Sequence, residues 1–271
     1  MHTYYIIWLY MSLSFLVTTH NEVESLDTLL KDLVEYKLSD QEIIVLDDFS
    51  DNKDTLDIFE KYKKDISFHQ HALNLDYGAH KNYGRSLCKK DWIFQIDGDE
   101  VVNKYLLTNL DAIIEKNEKS DVIWVPRINY FLGLTEKYLK QWRWRVNFLP
   151  TLKDIVVMNN TSEEYEFLDK YHVILKSEPI DNFKSRVEYR IPLINYPDYQ
   201  SRITKNDPKI KYERKLHERI VGNDSETYIP PNQYVLSLLH KKTIQQQMET
   251  NERYNKLFTK DENIGYLVRG K

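Results

Sequence analysis

The sequence predicts an α/β fold: a mostly parallel central sheet with helices on both faces and an irregular middle insertion. Three observations carry that expectation. Short apolar runs alternate with segments of helical period as far as Tyr130, the pattern of parallel strands joined by crossover helices. The polar clusters "TTHNE", "DDFSD" and "DGDE" follow successive apolar runs, and open parallel sheets bind ligands at the carboxyl ends of their strands. The chain of 271 residues is 41% hydrophobic and 13% aromatic, enough for one sizeable core.

The elements follow in order. Ser12–Val17 reads as a buried strand, with Met1–Tyr10 an extension before it and Met11 a candidate natural start. In "NEVESLDTLLKDLVEY", Val23, Leu26, Leu29, Leu30, Leu33 and Val34 recur at helical spacing. "EIIVLDD" (Glu42–Asp48) is a second buried strand. "DNKDTLDIFEKYKK" follows as a helix with Leu56, Phe59 and Tyr62 on one face. A short strand near Ile66–His71 leads to a helix around Ala79–Cys88, and then to the strand Trp92–Ile96. "YLLTNLDAIIEK" reads as one helix and Asp121–Tyr130 as a strand. Beyond it the pattern loosens, and residues 147–196 read as an insertion between a nucleotide-binding half (11–146) and a closing segment of the same domain (197–271). Thr243–Phe258 has the spacing of an amphipathic helix using Ile244, Met248, Tyr254, Leu257 and Phe258 for core contacts.

Composition excludes several classes. A formal net charge of -4 gives no field for nucleic acid, so no nucleic-acid partner is expected. A single cysteine, Cys88, excludes an intramolecular disulfide framework and suits a reducing cytoplasm; it reads as a small packed residue rather than a nucleophile. Tyr4–Val17 is apolar but shorter than a bilayer span, without basic residues before it or a small-residue cleavage site after it. A cytoplasmic protein is expected, with peripheral contact at the inner face of a membrane left open by the basic stretch Lys205–Arg219. The Asn-x-Ser/Thr sites at Asn159, Asn160 and Asn223 are then without use.

The chemistry gathers in "DWIFQIDGDEVV" (Asp91–Val102), where an apolar strand runs into Asp97, Asp99 and Glu100. Unpaired carboxylates are costly to bury, so their crowding calls for a cation. Asp97 and Asp99, two apart, share one side of an extended segment, and Gly98 permits close backbone approach. Mn²⁺ or Mg²⁺ is commonly held by one or two carboxylates and phosphate oxygens, which points to a diphosphate bridged by a metal. Glu100 is expected to cap the following helix or to support Asp99 from behind.

Four segments in order, "FLVTTHNEVESL", "EIIVLDDFSD", "KNYGRSLCKKDWIFQIDGDE" and "YPDYQSRITKNDPKIKYERKLHERIVG", resemble glycosyltransferase family 2. The nearest in kind are small bacterial enzymes of the lipopolysaccharide-core type. The resemblance covers Leu13–Tyr130 and resumes from Pro197 to His240. It implies a Rossmann-like, glycosyltransferase A type sheet that binds a nucleotide sugar, most simply a UDP-sugar. Thr19, Asn21 and Glu22 would line the nucleoside pocket, and Asp47 or Asp48 would read the base. Lys81 would reach the base or diphosphate. Asp97 would contact ribose or metal, Asp99 would ligate the metal, and His240 in "SLLHKK" would be either a third ligand or a satisfied structural histidine. Glu218 in "KLHERI" would be the catalytic base of an inverting transfer, the other reading being a surface ion pair with Lys215 or Arg219. His217 would orient it or touch the phosphates, and Arg202 would stabilise diphosphate charge. Thr18 and His20 depart from the proline and tyrosine usual in the family.

The expected acceptor is a glycan, a lipid-linked sugar or a protein, and Trp142, Arg143, Trp144 and Arg145 are expected either to hold it or, for the two tryptophans, to pack in the core. "QWRW" falls one residue short of the Gln-x-x-Arg-Trp signature of processive synthases, which favours transfer of a single sugar. Two other readings compete. One is a haloacid-dehalogenase-type phosphatase with Asp97 as nucleophile, since "DGDEV" satisfies Asp-x-Asp-x-Val; the other is a non-catalytic sugar- or nucleotide-binding protein.

Overall fold

Hydrophobic continuity places the first strand. In the computed structural model, which describes residues 12–148 and 192–258, β1 (Leu13–Thr19) is buried along nearly its whole length. Strands β2 (Glu42–Asp47) and β4 (Trp92–Asp97) lie parallel on either side of it, and β3 (Ser67–Gln70) adds in parallel beyond β2. Strands buried on both faces read as unbroken apolar runs, which is why β1, β2 and β4 were visible in the sequence. The register sets Thr18 opposite Asp97 and Thr19 opposite Asp47, so the polar strand ends are level with one another.

The helices between them obey their stripes. α1 (Glu24–Tyr36) buries Leu26, Leu29, Leu30 and Leu33. α2 (Lys53–Tyr62) starts where the Asn52 side chain accepts from the Asp54 N–H, and buries Thr55, Ile58, Phe59 and Tyr62. That stripe corrects the expectation for Leu56, which is 41% exposed: it sits about 100° round the helix from Thr55. α3 (Tyr77–Leu87) is capped by Asp76 and ends at buried Cys88, whose thiol burial pushes up to about 12. A thiol so protonated is no nucleophile at neutral pH.

The expected single helix over 105–116 is two, α4 (Lys104–Thr108) and α5 (Leu110–Lys116). The Asn109 side chain donates to the Tyr105 carbonyl at 2.8 Å, competing with the backbone ladder where the break falls. Glu100 does not cap this segment. It begins a short strand, β5 (Glu100–Val102), and the cap is Asn103, whose side chain accepts from the Tyr105 N–H.

The chain forms two compact units, residues 1–125 with 200–230 and residues 126–199 with 231–271. In the first, β4 is flanked by the antiparallel β9 (Asp198–Lys205), which neighbours β6 (Val122–Leu132). A hairpin of β10 (Lys211–Glu213) and β11 (Arg219–Val221) packs Ile210, Tyr212 and Ile220 on Val122. β12 (Glu226–Tyr228) pairs with the start of β6 as far as Trp124. Pro126, which has no N–H to give a ladder, begins the other unit.

In the second unit β13 (Leu238–Thr243) pairs in parallel with β6 from Arg127 onward. The expected insertion is not wholly irregular, because β8 (Pro192–Ile194) pairs antiparallel with β7 (Val146–Phe148). Trp142 and Trp144, at the end of α6 (Glu136–Trp142), pack with Phe131, Leu134 and Ile194. α7 (Ile244–Phe258) buries Ile244, whereas Met248 is 36% exposed and is not the core contact expected of it. The readings of residues 1–11 and of Asn159 and Asn160 lie outside the described residues, as do the side chains of Leu257 and Phe258.

Leu16→Ala should cost about 2–5 kcal/mol in urea unfolding, because Leu16 packs on Ile44, Leu46, Cys88 and Ile93 with no exposed surface. Leu56→Ala, on the exposed flank of α2, should stay within about 0.5 kcal/mol of the parent.

Candidate functional site

The ends of β1, β2 and β4 converge with β9 and the β10–β11 hairpin inside the first unit. Two close approaches build that convergence. A Cβ on Gly78 would lie 2.5 Å from the Arg214 carbonyl oxygen, so only glycine lets the start of α3 meet the hairpin. Nearby, Tyr77 N–H donates to the Lys215 carbonyl, and Asn82 bonds both N–H and C=O of Tyr212. Gly98 plays the second part, since a Cβ there would lie 2.6 Å from Thr19 Oγ1. What comes close to Gly98 is thus the end of β1.

These contacts bring Lys81 to Glu218. Lys81 Nζ lies 2.5 Å from Glu218 Oε1 and 3.4 Å from Asp97 Oδ1. On the other side of Asp97, the Arg202 guanidinium reaches Asp97 Oδ2 and Glu100 Oε1, each at 2.5 Å, and also bonds Gln95. Asp97 Oδ1 further accepts from Gln95 at 2.9 Å and Thr18 at 3.0 Å, and the Asp97 N–H donates to Glu100 at 3.1 Å. Glu100 has no exposed surface, and Arg202 is nearly as deep.

The electrostatics follow from this packing. Burial works against the charge on Asp97, but Arg202 and Lys81 outweigh it and hold the carboxyl well below the usual carboxylate range. Burial likewise opposes the charge on Lys81 and Arg202, and the carboxylates facing them hold both firmly protonated. Glu218 has the same balance: burial pushes it up, and Lys81 more than compensates, leaving it below its ordinary value.

The protein supplies positive charge beside Asp97 through Arg202 and Lys81. Arg202 in turn also reaches Glu100 and Gln95. The third expected ligand, His240, belongs to the second unit, where its Nδ1 lies 2.8 Å from Asn129 Oδ1. Asn129 there also donates to Asp198, which Arg127 holds at 2.7 Å. Among the described residues no group of three His, Cys, Asp or Glu side chains stands where it could hold a metal ion.

The residues expected to line the nucleoside lie at the ends of β1 and β2. Asn21, in the left-handed region at φ 53°, accepts from the Asp51 and Asn52 N–H groups and so ties two loops together. The Glu22 carbonyl accepts from Thr55, and its carboxylate accepts from Ser25. Asp47 is fully buried, its oxygens taken by the Ser50 N–H and hydroxyl and by Gln70. Asp48 is half-buried and accepts from the Leu73 N–H with one oxygen, while its carbonyl accepts from His20 Nδ1. Thr19 Oγ1 is buried without a hydrogen-bond partner, an unmet donor and acceptor at the tip of β1.

Sequence reasoning missed Gln95, Tyr212 and the pairing of Glu100 with Arg202. A glutamine inside the apolar run "WIFQI" was the one available signal, because a buried amide requires partners.

Comparison with known proteins gives the family. The model described as "Glycosyl transferase family 2" matches residues 14–167. Cholesterol galactosyltransferase of Borreliella burgdorferi is 32% identical over 126 residues, 46% of this chain and 35% of that protein. Poly(ribitol-phosphate) beta-N-acetylglucosaminyltransferase TarP of Staphylococcus aureus is 30% identical over 114 residues, 41% of this chain and 35% of that protein. These matches span about a third of the length of either relative. Among solved structures, S. aureus TarS 1-349 superposes with a TM-score of 0.49 at 16% identity, covering 91% of this chain and 65% of that one. Its complex with UDP-GlcNAc gives 0.48 at 18% identity, covering 86% and 59%. The family match overturns the phosphatase reading of Asp97, whose oxygens are in any case both engaged.

Arg202→Met would take the Arg202 cation from Glu100 and leave Asp97 with Lys81 alone, and should destabilise the protein by about 3–5 kcal/mol in urea unfolding. Adding Glu100→Gln should recover part of that loss, since the two positions share one ion pair.

Proposed function

We propose that this chain, which belongs to glycosyl transferase family 2, moves a single sugar from a nucleotide sugar, most simply a UDP-sugar, to a hydroxyl acceptor with inversion. The observation that carries the reading is the placement of Glu218 beside Lys81 and Asp97 at the carboxyl end of β4. That is where an open parallel sheet presents its ligand. The relatives at 32% and 30% identity, named a galactosyltransferase and a beta-N-acetylglucosaminyltransferase, support galactose and N-acetylglucosamine donors as the first to test.

In this reading Thr19, Asn21, Glu22 and Asp48 surround the nucleoside, with the half-buried Asp48 carboxylate suited to accept from a base N–H. Asp47 supports them from beneath by fixing Ser50 and Gln70. Lys81 meets the diphosphate. The acceptor oxygen attacks the anomeric carbon from the face opposite the leaving group, and the bond from that carbon to the diphosphate breaks with its electron pair going to the nucleotide. Glu218 takes the acceptor proton, which places it opposite the departing diphosphate.

Asp99 would be a protein ligand of a Mn²⁺ or Mg²⁺ ion, since such ions are commonly held by one or two carboxylates together with phosphate oxygens. When bound, such an ion neutralises charge on the leaving diphosphate. Glycan, lipid-linked and protein acceptors are all compatible with the site. Among the described residues no helix is long and apolar enough to cross a membrane. The basic stretch Lys205–Arg219 is the segment to test for peripheral membrane contact.

Glu218→Gln should bind a UDP-sugar at least as tightly as the parent and lose about 10²–10⁴-fold in transfer rate, measured by radiolabelled sugar incorporation into an acceptor pool. Near-parental turnover would remove Glu218 from the base role; absence of turnover in the parent with every donor and acceptor pool would favour a binding protein. Asp99→Ala should abolish the Mn²⁺-dependent part of nucleotide binding in calorimetry while the unfolding midpoint stays unchanged.

A further inference from the structure

Glu218 is held in a state that hinders a base. Its carboxylate is 18% exposed and sits 2.5 Å from the Lys81 ammonium, which is itself only 8% exposed. Lys81 also lies over the Tyr212 ring at 5.5 Å. A carboxylate committed to so close a cation accepts a proton poorly. The charged and titratable groups around the pair are Asp97 from β4, Arg202 from β9 and Tyr212 from β10.

The cluster also has no positive charge in surplus. Asp97, Glu100 and Glu218 face Lys81 and Arg202, so an arriving diphosphate must draw one of these cations away from a carboxylate. Arg202 is the harder to draw. It joins Gln95, Asp97 and Glu100 at once, and its departure would strand Glu100, which has no exposed surface. Lys81 has a flexible stem and rotatable donors, its contact with Asp97 is long at 3.4 Å, and Asp97 keeps Arg202 if Lys81 leaves.

We propose that Lys81 is a latch on Glu218 that the donor's diphosphate opens. With no donor bound, the ammonium ties up the base. With donor bound, the ammonium turns to the phosphate oxygens and Glu218 is released to take the acceptor's proton. The inference rests on the reading of Glu218 as the base, and it makes Lys81 a positioning residue that couples donor binding to base strength.

The sign of the linked proton follows. Before donor binding, Glu218 lies below its ordinary value although burial pushes it up, because Lys81 outweighs burial. Once Lys81 turns away, burial and the Asp97 charge outweigh the remaining backbone hydrogen bond to the carboxylate and lift it above that value. Between the two values the bound form holds more protons than the free form. Donor binding therefore takes up a proton there, and donor affinity falls as pH rises through that window. A base whose proton affinity approaches the working pH is also the better catalyst.

Calorimetry of UDP-N-acetylglucosamine and of UDP-galactose, with excess Mn²⁺ at pH 5.5 in acetate and in MES, measures this uptake from the difference in binding heat between buffers. Neither nucleotide sugar titrates near that pH through a terminal phosphate. The expected result is net proton uptake by the parent, lost in Glu218→Gln and lost in Lys81→Gln, with Lys81→Gln also binding more weakly. Binding by the parent without uptake, or uptake undiminished in Glu218→Gln, overturns the latch and leaves the donor site standing. Failure of both nucleotide sugars to bind overturns the donor reading and the latch together.

Discussion

The structure depends on an imbalance of buried charge. Asp97, Glu100 and Glu218 come from the end of β4, from β5 and from the loop before β11, and they are compensated by Lys81 from α3 and Arg202 from β9. Each element supplies one sign that the others need. Arg202 without Asp97 and Glu100 would be a buried cation, and Glu100 without Arg202 a fully buried anion, either costing several kcal/mol (about 3–5). The cluster therefore joins segments far apart in sequence. Gln95 adds a neutral brace by donating to Asp97 and accepting from Arg202.

The backbone around this cluster is shaped to make it reachable. Gly78 and Asn82 bring α3 against the β10–β11 hairpin, which sets Lys81 against Glu218. The hairpin loop reaches Glu218 through left-handed residues at Arg214 (φ 75°) and His217 (φ 49°). Non-glycine residues in that region carry a conformational cost, and such residues collect where a side chain has to be aimed. The same applies to Asn21 at φ 53°, which is fixed by hydrogen bonds to the loop after β2. Strand ends supply the groups, and strained loops set their direction.

Much of the sheet was legible in the sequence because periodicity is local. β1, β2 and β4 are continuous apolar runs, and α1 carries an unbroken leucine stripe, so each could be read from its own residues. The misread elements turned on side chains that act on the backbone or sit one position off a stripe. Asn109 splits a helix by bonding a carbonyl within it, Leu56 lies beside the buried face of α2, and β8 is a three-residue strand whose pairing with β7 lies far away in sequence. The acids of "DGDE" were equally plain, but what neutralises them was not. Arg202 and Lys81 stand more than a hundred residues apart, and no local pattern links either to Asp97.

By itself the sequence determined the order of strands and helices from β1 to β4 and the gathering of acidic groups at strand ends, since both follow from short-range spacing of apolar and polar residues. The family, too, is written in motifs that survive as linear strings. Only the tertiary structure decided which charges meet. It placed Arg202 and Lys81 on Asp97, paired Glu100 with a cation instead of a helix end, set His240 against Asn129, and put Glu218 under the hold of Lys81. The physical reason is that ion pairing depends on distance in space and on burial, and both are set only when distant segments pack.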